Sequence, residues 1–160
     1  MRIGEIVIIS STEQAERRFI ASICEEVEHS SQGITFGRFP VNNQLTLHLY
    51  GFSIQEQNGD LSWDFVAAKM LGGIVIFPWD DDASFAGVAP AIDLLTNTYH
   101  ASLVVAAEVE RQQLPVPATV SNAGITLTNQ GTFTFFHPRD SHSVKKVLTA
   151  LINQLIPETN

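Results

Sequence analysis

Three short, unbroken apolar runs constrain the fold of this chain most strongly: Ile6–Ile9, Ile74–Phe77 and Leu103–Ala106. Apolar runs without polar alternation are typical of strands buried on both faces of a sheet. Between these runs, apolar residues recur at helical spacing from Thr12 to about Glu28 and from Ser84 to Thr98. This alternation of strands and helices predicts an α/β protein with a mostly parallel sheet.

One predicted hairpin departs from the parallel order. Residues 34 to 50 form two alternating segments around Asn42-Asn43, which predicts two antiparallel strands joined by a turn. A further helix is predicted from Ser62 to Leu71, ended by Gly72-Gly73. A last strand is predicted at Thr132–Phe136, followed by a helix that Asp140 caps. The expected sheet has six strands, with one antiparallel hairpin strand at its edge and helices on both faces.

Length and charge restrict the classes of function. The 160 residues predict a single domain over 1–160. A net charge of −8 repels phosphate backbones and anionic lipid headgroups, so neither nucleic acid nor a membrane is an expected partner. The sequence shows no signal pattern and no apolar stretch of the ~18 residues that a membrane span requires, which predicts a cytoplasmic protein. The single cysteine, Cys24, is predicted to lie in the core.

The sequence favours no metal site. Apart from the loosely placed His137 and His142, the five histidines lack metal-ligand spacing. The run Asp80-Asp81-Asp82 follows a predicted strand, and carboxylates in this position favour the start of a helix over a metal site. We therefore expect no metal.

Several segments together carry a resemblance to a known family. These segments are Phe36–Arg38, Leu45–Gly51, Trp63-Asp64, Gly72–Ile76, Ser84-Phe85, Ile92–Leu95 and Ser143–Leu148. In their order and spacing they resemble the Ras-like small GTPases, and within them the bacterial gliding-motility (MglA-type) branch, which is related to the signal-recognition-particle receptor beta subunit. The resemblance covers nearly the whole chain and implies the Ras-like P-loop GTPase fold.

The phosphate-binding motif of that family is degenerate here. The family's Gly-x-x-x-x-Gly-Lys-Ser/Thr loop aligns with Ser10, Ala15, Glu16 and Arg17. Replacing the lysine by Glu16 exchanges an attraction to phosphate for a repulsion, each worth ~4 kcal/mol at about 4 Å and an effective dielectric near 20. Ser10 with Glu13 also matches a capping box, as does Ser11 with Gln14, which predicts that the loop amides are bonded by the chain's own side chains.

The remaining nucleotide motifs are also altered. Ile54 replaces the glycine of the second switch, while Gln55 aligns with the glutamine that orients the attacking water. In place of the guanine-reading Asn-Lys-x-Asp motif, Glu110 keeps only the charge. These losses predict a pseudo-GTPase without catalytic residues and without a bound cofactor.

Apolar residues near the second switch predict a partner-binding face made of Phe36, Arg38, Phe52, Ile54 and Trp63. The resemblance suggests a roadblock-type protein as the partner, and a second copy of the chain is another candidate. Two alternatives stay open: a divergent GTP-binding protein in which Arg17 or Arg18 reaches a phosphate, and a homo-oligomeric structural protein.

Overall fold

The computed structural model describes residues 2–12, 15–29, 34–53, 70–79, 82–93, 95–96, 102–109 and 131–155. Within these ranges the strands are Arg2–Ser10 (β1), Val27–His29 (β2), Thr35–Pro40 (β3), Leu45–Ser53 (β4), Gly72–Pro78 (β5), Ser102–Glu108 (β6) and Gly131–Phe136 (β7). The helices are Ala15–Ile23 (α1), Asp82–Asp93 (α2) and Ser141–Leu155 (α3). The predicted α/β class is confirmed.

The strands form one mixed sheet in the order β2-β3-β4-β1-β5-β6-β7. β1 pairs in parallel with β4 on one side and with β5 on the other, and β6 and β7 continue the parallel order. β3 runs antiparallel to both of its neighbours. The sheet is therefore parallel except for the hairpin strand.

Both faces of the sheet are covered by helices. On one face, Ile6 and Ile8 of β1 pack in a core with Phe19 of α1 and Val144 of α3. On the other face, the alternate β1 residues Val7 and Ile9 share a core with Val88 of α2. The unbroken apolar run in β1 therefore reflects burial on both faces.

The predicted count of six strands is wrong, because residues 27–29 form a strand instead of the last turn of α1. α1 ends at Ile23, and the amide of Cys24 donates to the carbonyl of Ile20 at 2.9 Å. Glu25, Glu26 and Glu28 follow, and acidic side chains are unfavourable near the negative end of a helix. β2 pairs with β3, so the hairpin strand lies second from the edge of the sheet and not at the edge.

The predicted hairpin turn is confirmed. β3 and β4 pair with Pro40 opposite Thr46 and Thr35 opposite Gly51. The carboxamide oxygen of Asn42 accepts hydrogen bonds from the amides of Gln44 at 2.7 Å and Leu45 at 2.9 Å. This bonding of an Asn side chain to nearby amides is the reason for its preference in turns.

Other predicted boundaries move or fall outside the described residues. Gly72 and Gly73 begin β5 instead of ending a helix, and most of the predicted helix from Ser62 to Leu71 lies outside the described residues. α2 starts at Asp82, as the acidic run indicates. The cap at Asp140 is confirmed, since its carboxylate accepts the amide of His142 at 3.0 Å. In the described ranges, no helix has the length and apolar character needed to cross a membrane.

Candidate functional site

The carboxyl ends of β1 and β5 define the candidate site. These strands are neighbours in the sheet, but β1 leads into α1 on one face while α2, which follows β5, packs on the other. In open α/β sheets, ligands bind where consecutive connections diverge in this way. The backbone amide of Ser11, just after β1, donates to the carbonyl of Ile76 in β5 at 3.1 Å, so the two strand ends are held together.

A buried serine and a buried glutamate occupy this position. Ser10, the last residue of β1, and Glu16, in the first turn of α1, are both completely buried. The Ser10 hydroxyl lies 2.7 Å from Oε1 of Glu16 and 2.7 Å from the carbonyl oxygen of Thr12. The single hydroxyl proton is therefore shared between two acceptors, and the side chain of Glu16 is tied to the end of β1.

The sheet is shaped to admit Glu16. A Cβ atom at Gly51 of β4 would lie 2.9 Å from Cγ of Glu16 and 2.8 Å from Cδ1 of Ile20. The absence of a side chain at Gly51 lets the first turn of α1 approach β4 closely. A carboxylate at this helix terminus is also favoured by the positive end of the helix dipole.

Two arginines lie beside carboxylates of the chain itself. Nε of Arg17 is 3.9 Å from Oε2 of Glu16, and Nη2 of Arg18 is 3.6 Å from Oε2 of Glu108 at the end of β6. The Arg18 side chain is 62% exposed, whereas Glu108 is 8% exposed. Glu108 was not among the predicted site residues, although its place at the end of a buried parallel strand indicates the same sheet edge as Ser10.

The structure brings Ser10, Ala15, Glu16 and Arg17 together around the junction of β1 and α1, as the alignment of the degenerate motif implies. The hydroxyl of Ser10, which was predicted to form a capping box with Glu13, donates to the carboxylate of Glu16. The predicted capping partners Glu13 and Gln14 lie outside the described residues, as do Ile54, Gln55, Trp63 and Glu110.

The predicted partner face needs one correction. Phe52 is 1% exposed and packs in the core with Val7, Ile9 and Phe77, so it is not a surface residue. By the period of two of a pleated strand, Phe52 lies on the same sheet face as His48 and Tyr50. Near the end of β4 this face is covered by the core that contains Val88 of α2, so Phe52 is buried there.

Phe36 and Arg38 do lie at the surface of the hairpin. The guanidinium of Arg38 lies over the Phe36 ring at 5.6 Å from its centroid, and that ring contacts His48 and Tyr50, each with centroids 5.2 Å away. We call Phe36, Arg38, His48 and Tyr50 the hairpin face. His48 and Tyr50 were not among the predicted residues of this face. Their alternation with Leu45, Leu47 and Leu49 places them on the sheet face opposite the core that contains Leu47 and Leu49.

Tyr50 is anchored across the sheet. Its hydroxyl donates to Oε2 of Glu5 in β1 at 3.1 Å. Burial raises the pKa of Tyr50 above its usual value of 10.0, and the charge and hydrogen bond of Glu5 raise this pKa further. The phenol stays protonated at neutral pH and acts as a donor.

The remaining candidate groups do not form a catalytic arrangement. Cys24 is buried, as predicted, and this burial raises the pKa of its thiol from 9.0 to about 11, which keeps it un-ionised at neutral pH. Nδ1 of His137 lies 2.9 Å from the carbonyl oxygen of Val109. Among the residues that the structure describes, no group of three His, Cys, Asp or Glu side chains is arranged to hold a metal ion.

No protein-family model matches this chain, and no curated protein matches it either.

Proposed function

We propose that this chain is a pseudo-GTPase: a Ras-like small-GTPase domain without a nucleotide cycle that acts as a protein-binding or regulatory module. The buried Glu16 carboxylate, tied by Ser10 to the end of β1, is the observation that carries the proposal. In the family that the sequence resembles, a lysine at this position pairs with the β- and γ-phosphates.

Electrostatics supports the loss of nucleotide binding. A nucleoside triphosphate placed at the end of β1 would lie close to the Glu16 carboxylate and, beyond it, to the carboxylate of Glu108 in β6. Both carboxylates lie beside the arginines that could compensate for this repulsion. Phosphate binding would require these arginines to leave carboxylates and turn to the ligand, while Glu16 stays buried without water to screen its charge.

The binding role rests on the hairpin face. Three of its four side chains, Phe36, Arg38 and Tyr50, are of residue types enriched at protein interfaces. A roadblock-type protein is our first candidate partner, and a second copy of this chain is the other.

A divergent GTP-binding protein is the alternative function. The Arg17 side chain is 34% exposed and that of Arg18 is 62% exposed, so both can be reached from solvent. The distances of 3.9 Å and 3.6 Å between these guanidinium groups and their carboxylates are long, so a phosphate can compete for the arginines. If Arg17→Gln and Arg18→Gln reduced a measured affinity for GTP, the alternative would replace our proposal.

Crosslinking in cells tests the binding role. The wild-type chain should crosslink to one defined protein, Phe36→Ala should lose that product, and Lys146→Glu, an exposed change on α3, should keep it. Equal products from all three proteins would place the interface away from the hairpin face.

A further inference from the structure

The strand β2 stops short of its neighbour, which leaves a notch at the side of the sheet. The pairing of β2 with β3 ends where Val27 faces Gly37, so among the described residues no strand pairs with the outer edge of Arg38–Pro40. A cleft of about 460 Å³ lies here, and residues that follow α1 line it together with this part of β3. The notch therefore exposes a strand edge next to a cavity.

The chemistry of this notch is mostly acidic. Glu25, Glu26 and Glu28 line it, all three are exposed, and none of their carboxylates makes a hydrogen bond or ion pair with another described residue. Arg38 and Lys145 are the cations of the lining. The guanidinium of Arg38 is held over the Phe36 ring, at 5.6 Å, and neither cation comes within ion-pair distance of the three carboxylates.

We propose that the notch is the docking site for an extended, basic segment of a partner protein, with an arginine or lysine side chain seated among Glu25, Glu26 and Glu28. The inference rests on the proposed binding role and names the chemistry of the partner. An extended segment can continue the line of β2 along the open edge of β3, and main-chain pairing of this kind supplies affinity while the side-chain pocket supplies specificity.

Charge decides between the candidate occupants. The chain carries a net charge of −8, so a basic partner is attracted over a long range, whereas a second copy of this chain is repelled. An acidic segment would place its carboxylates against the three glutamates of the notch. Phe39 also lines the notch, and its ring can cover the aliphatic part of a basic side chain.

Titration with two synthetic peptides tests the proposal. One acetylated peptide alternates arginine with valine, and the matched peptide alternates glutamate with valine. The basic peptide should bind the full chain and shift the amide resonances of Val27 and Phe39 in two-dimensional NMR spectra. The acidic peptide should shift neither.

Paired variants separate the notch from general charge attraction. Glu28→Lys and Asp93→Lys change the net charge equally, but Asp93 lies at the end of α2 on the other side of the sheet. Glu28→Lys should weaken binding of the basic peptide about tenfold and Asp93→Lys less than about twofold. Lys145→Gln should tighten binding, while Lys146→Gln, outside the lining, should leave it unchanged.

Equal effects of Glu28→Lys and Asp93→Lys would overturn the proposal, as would absence of binding by the folded wild-type chain. Far-ultraviolet circular dichroism of each variant checks that it is folded. These results are independent of nucleotide binding. A chain that bound GTP tightly would refute the pseudo-GTPase proposal while leaving the peptide result to be judged separately.

Discussion

The hydroxyl oxygen of Ser10 lies 2.7 Å from Oε1 of Glu16, and neither side chain is accessible to solvent. This contact joins the end of the central strand β1 to the first turn of α1 through side chains of the chain itself. It gives the junction of β1 and α1 a structural role that can be measured separately from any binding function.

A double-mutant cycle should detect this contact. Ser10→Ala and Glu16→Gln are each expected to lower the free energy of unfolding by ~1–3 kcal/mol, because each alters a buried hydrogen bond. The coupling energy between the two changes should be at least about 0.5 kcal/mol, as measured by urea denaturation. Strictly additive effects would show that the two side chains do not interact.

The close approach of α1 to β4 should make Gly51→Ala destabilising. The added Cβ would lie 2.8 Å from Cδ1 of Ile20, and overpacking of this kind costs ~1–3 kcal/mol. Gly73→Ala is the matched control, because the atom nearest to a Cβ added at Gly73 would be Cδ1 of Leu95, at 3.3 Å. Adding Ile20→Val to Gly51→Ala removes the clashing methyl group and should recover part of the loss in thermal melting experiments.

The stability of the fold should fall in alkaline solution. The thiol of Cys24 has its pKa raised from 9.0 to about 11, so the unfolded chain releases this proton at a lower pH than the folded chain does. Its contribution to stability is therefore complete below pH 9 and is lost as the pH rises toward 11.

Denaturation at a series of pH values measures this loss, which should be smaller in Cys24→Ala. Tyr50 has a raised pKa for the same main reason, burial, and its loss begins near its ordinary value of 10.0. The Tyr50→Phe variant therefore shows how much of the fall in the free energy of unfolding with pH is due to the phenol. A slope unchanged in both variants would contradict the burial of these groups.

Two phenylalanines should respond differently to the same substitution. Phe52 is 1% exposed, so Phe52→Asp buries a charge and is expected to cost more than about 4 kcal/mol or to prevent folding. Phe36 is half-buried on the hairpin face, so Phe36→Asp should cost less. Phe52→Ala, with an expected cost of ~3–5 kcal/mol, keeps the comparison measurable if the charged variant does not fold. Similar melting temperatures for Phe52→Ala and Phe36→Ala would contradict the assignment.

The order of strands and helices was predictable because local patterns carry it. The apolar run of β1, the Asn42 turn and the Asp140 cap each depend on a few neighbouring residues. β2 was not predictable in this way, because Val27 fits the helical spacing of α1 equally well. Its strand conformation is favoured by pairing with β3 and by the acidic residues that end the helix.

The candidate site was only partly predictable. The position of Glu16 in the degenerate motif marked the residue, but its burial and its bond to Ser10 depend on the close packing of α1 against Gly51. The pairing of Arg18 with Glu108 depends on strand order, which joins residues far apart in sequence. Phe52 was assigned to the surface because the resemblance placed it near a switch, whereas its burial depends on the core that packs on this face at the end of β4.

Isothermal titration calorimetry with Mg²⁺-GTP and Mg²⁺-GDP tests the central claim most directly. We predict no binding with a dissociation constant below ~100 μM for either nucleotide, because in our proposal the buried Glu16 carboxylate takes the place of the lysine that would pair with the phosphates. Binding in the micromolar range, or nucleotide retained through purification, would contradict it.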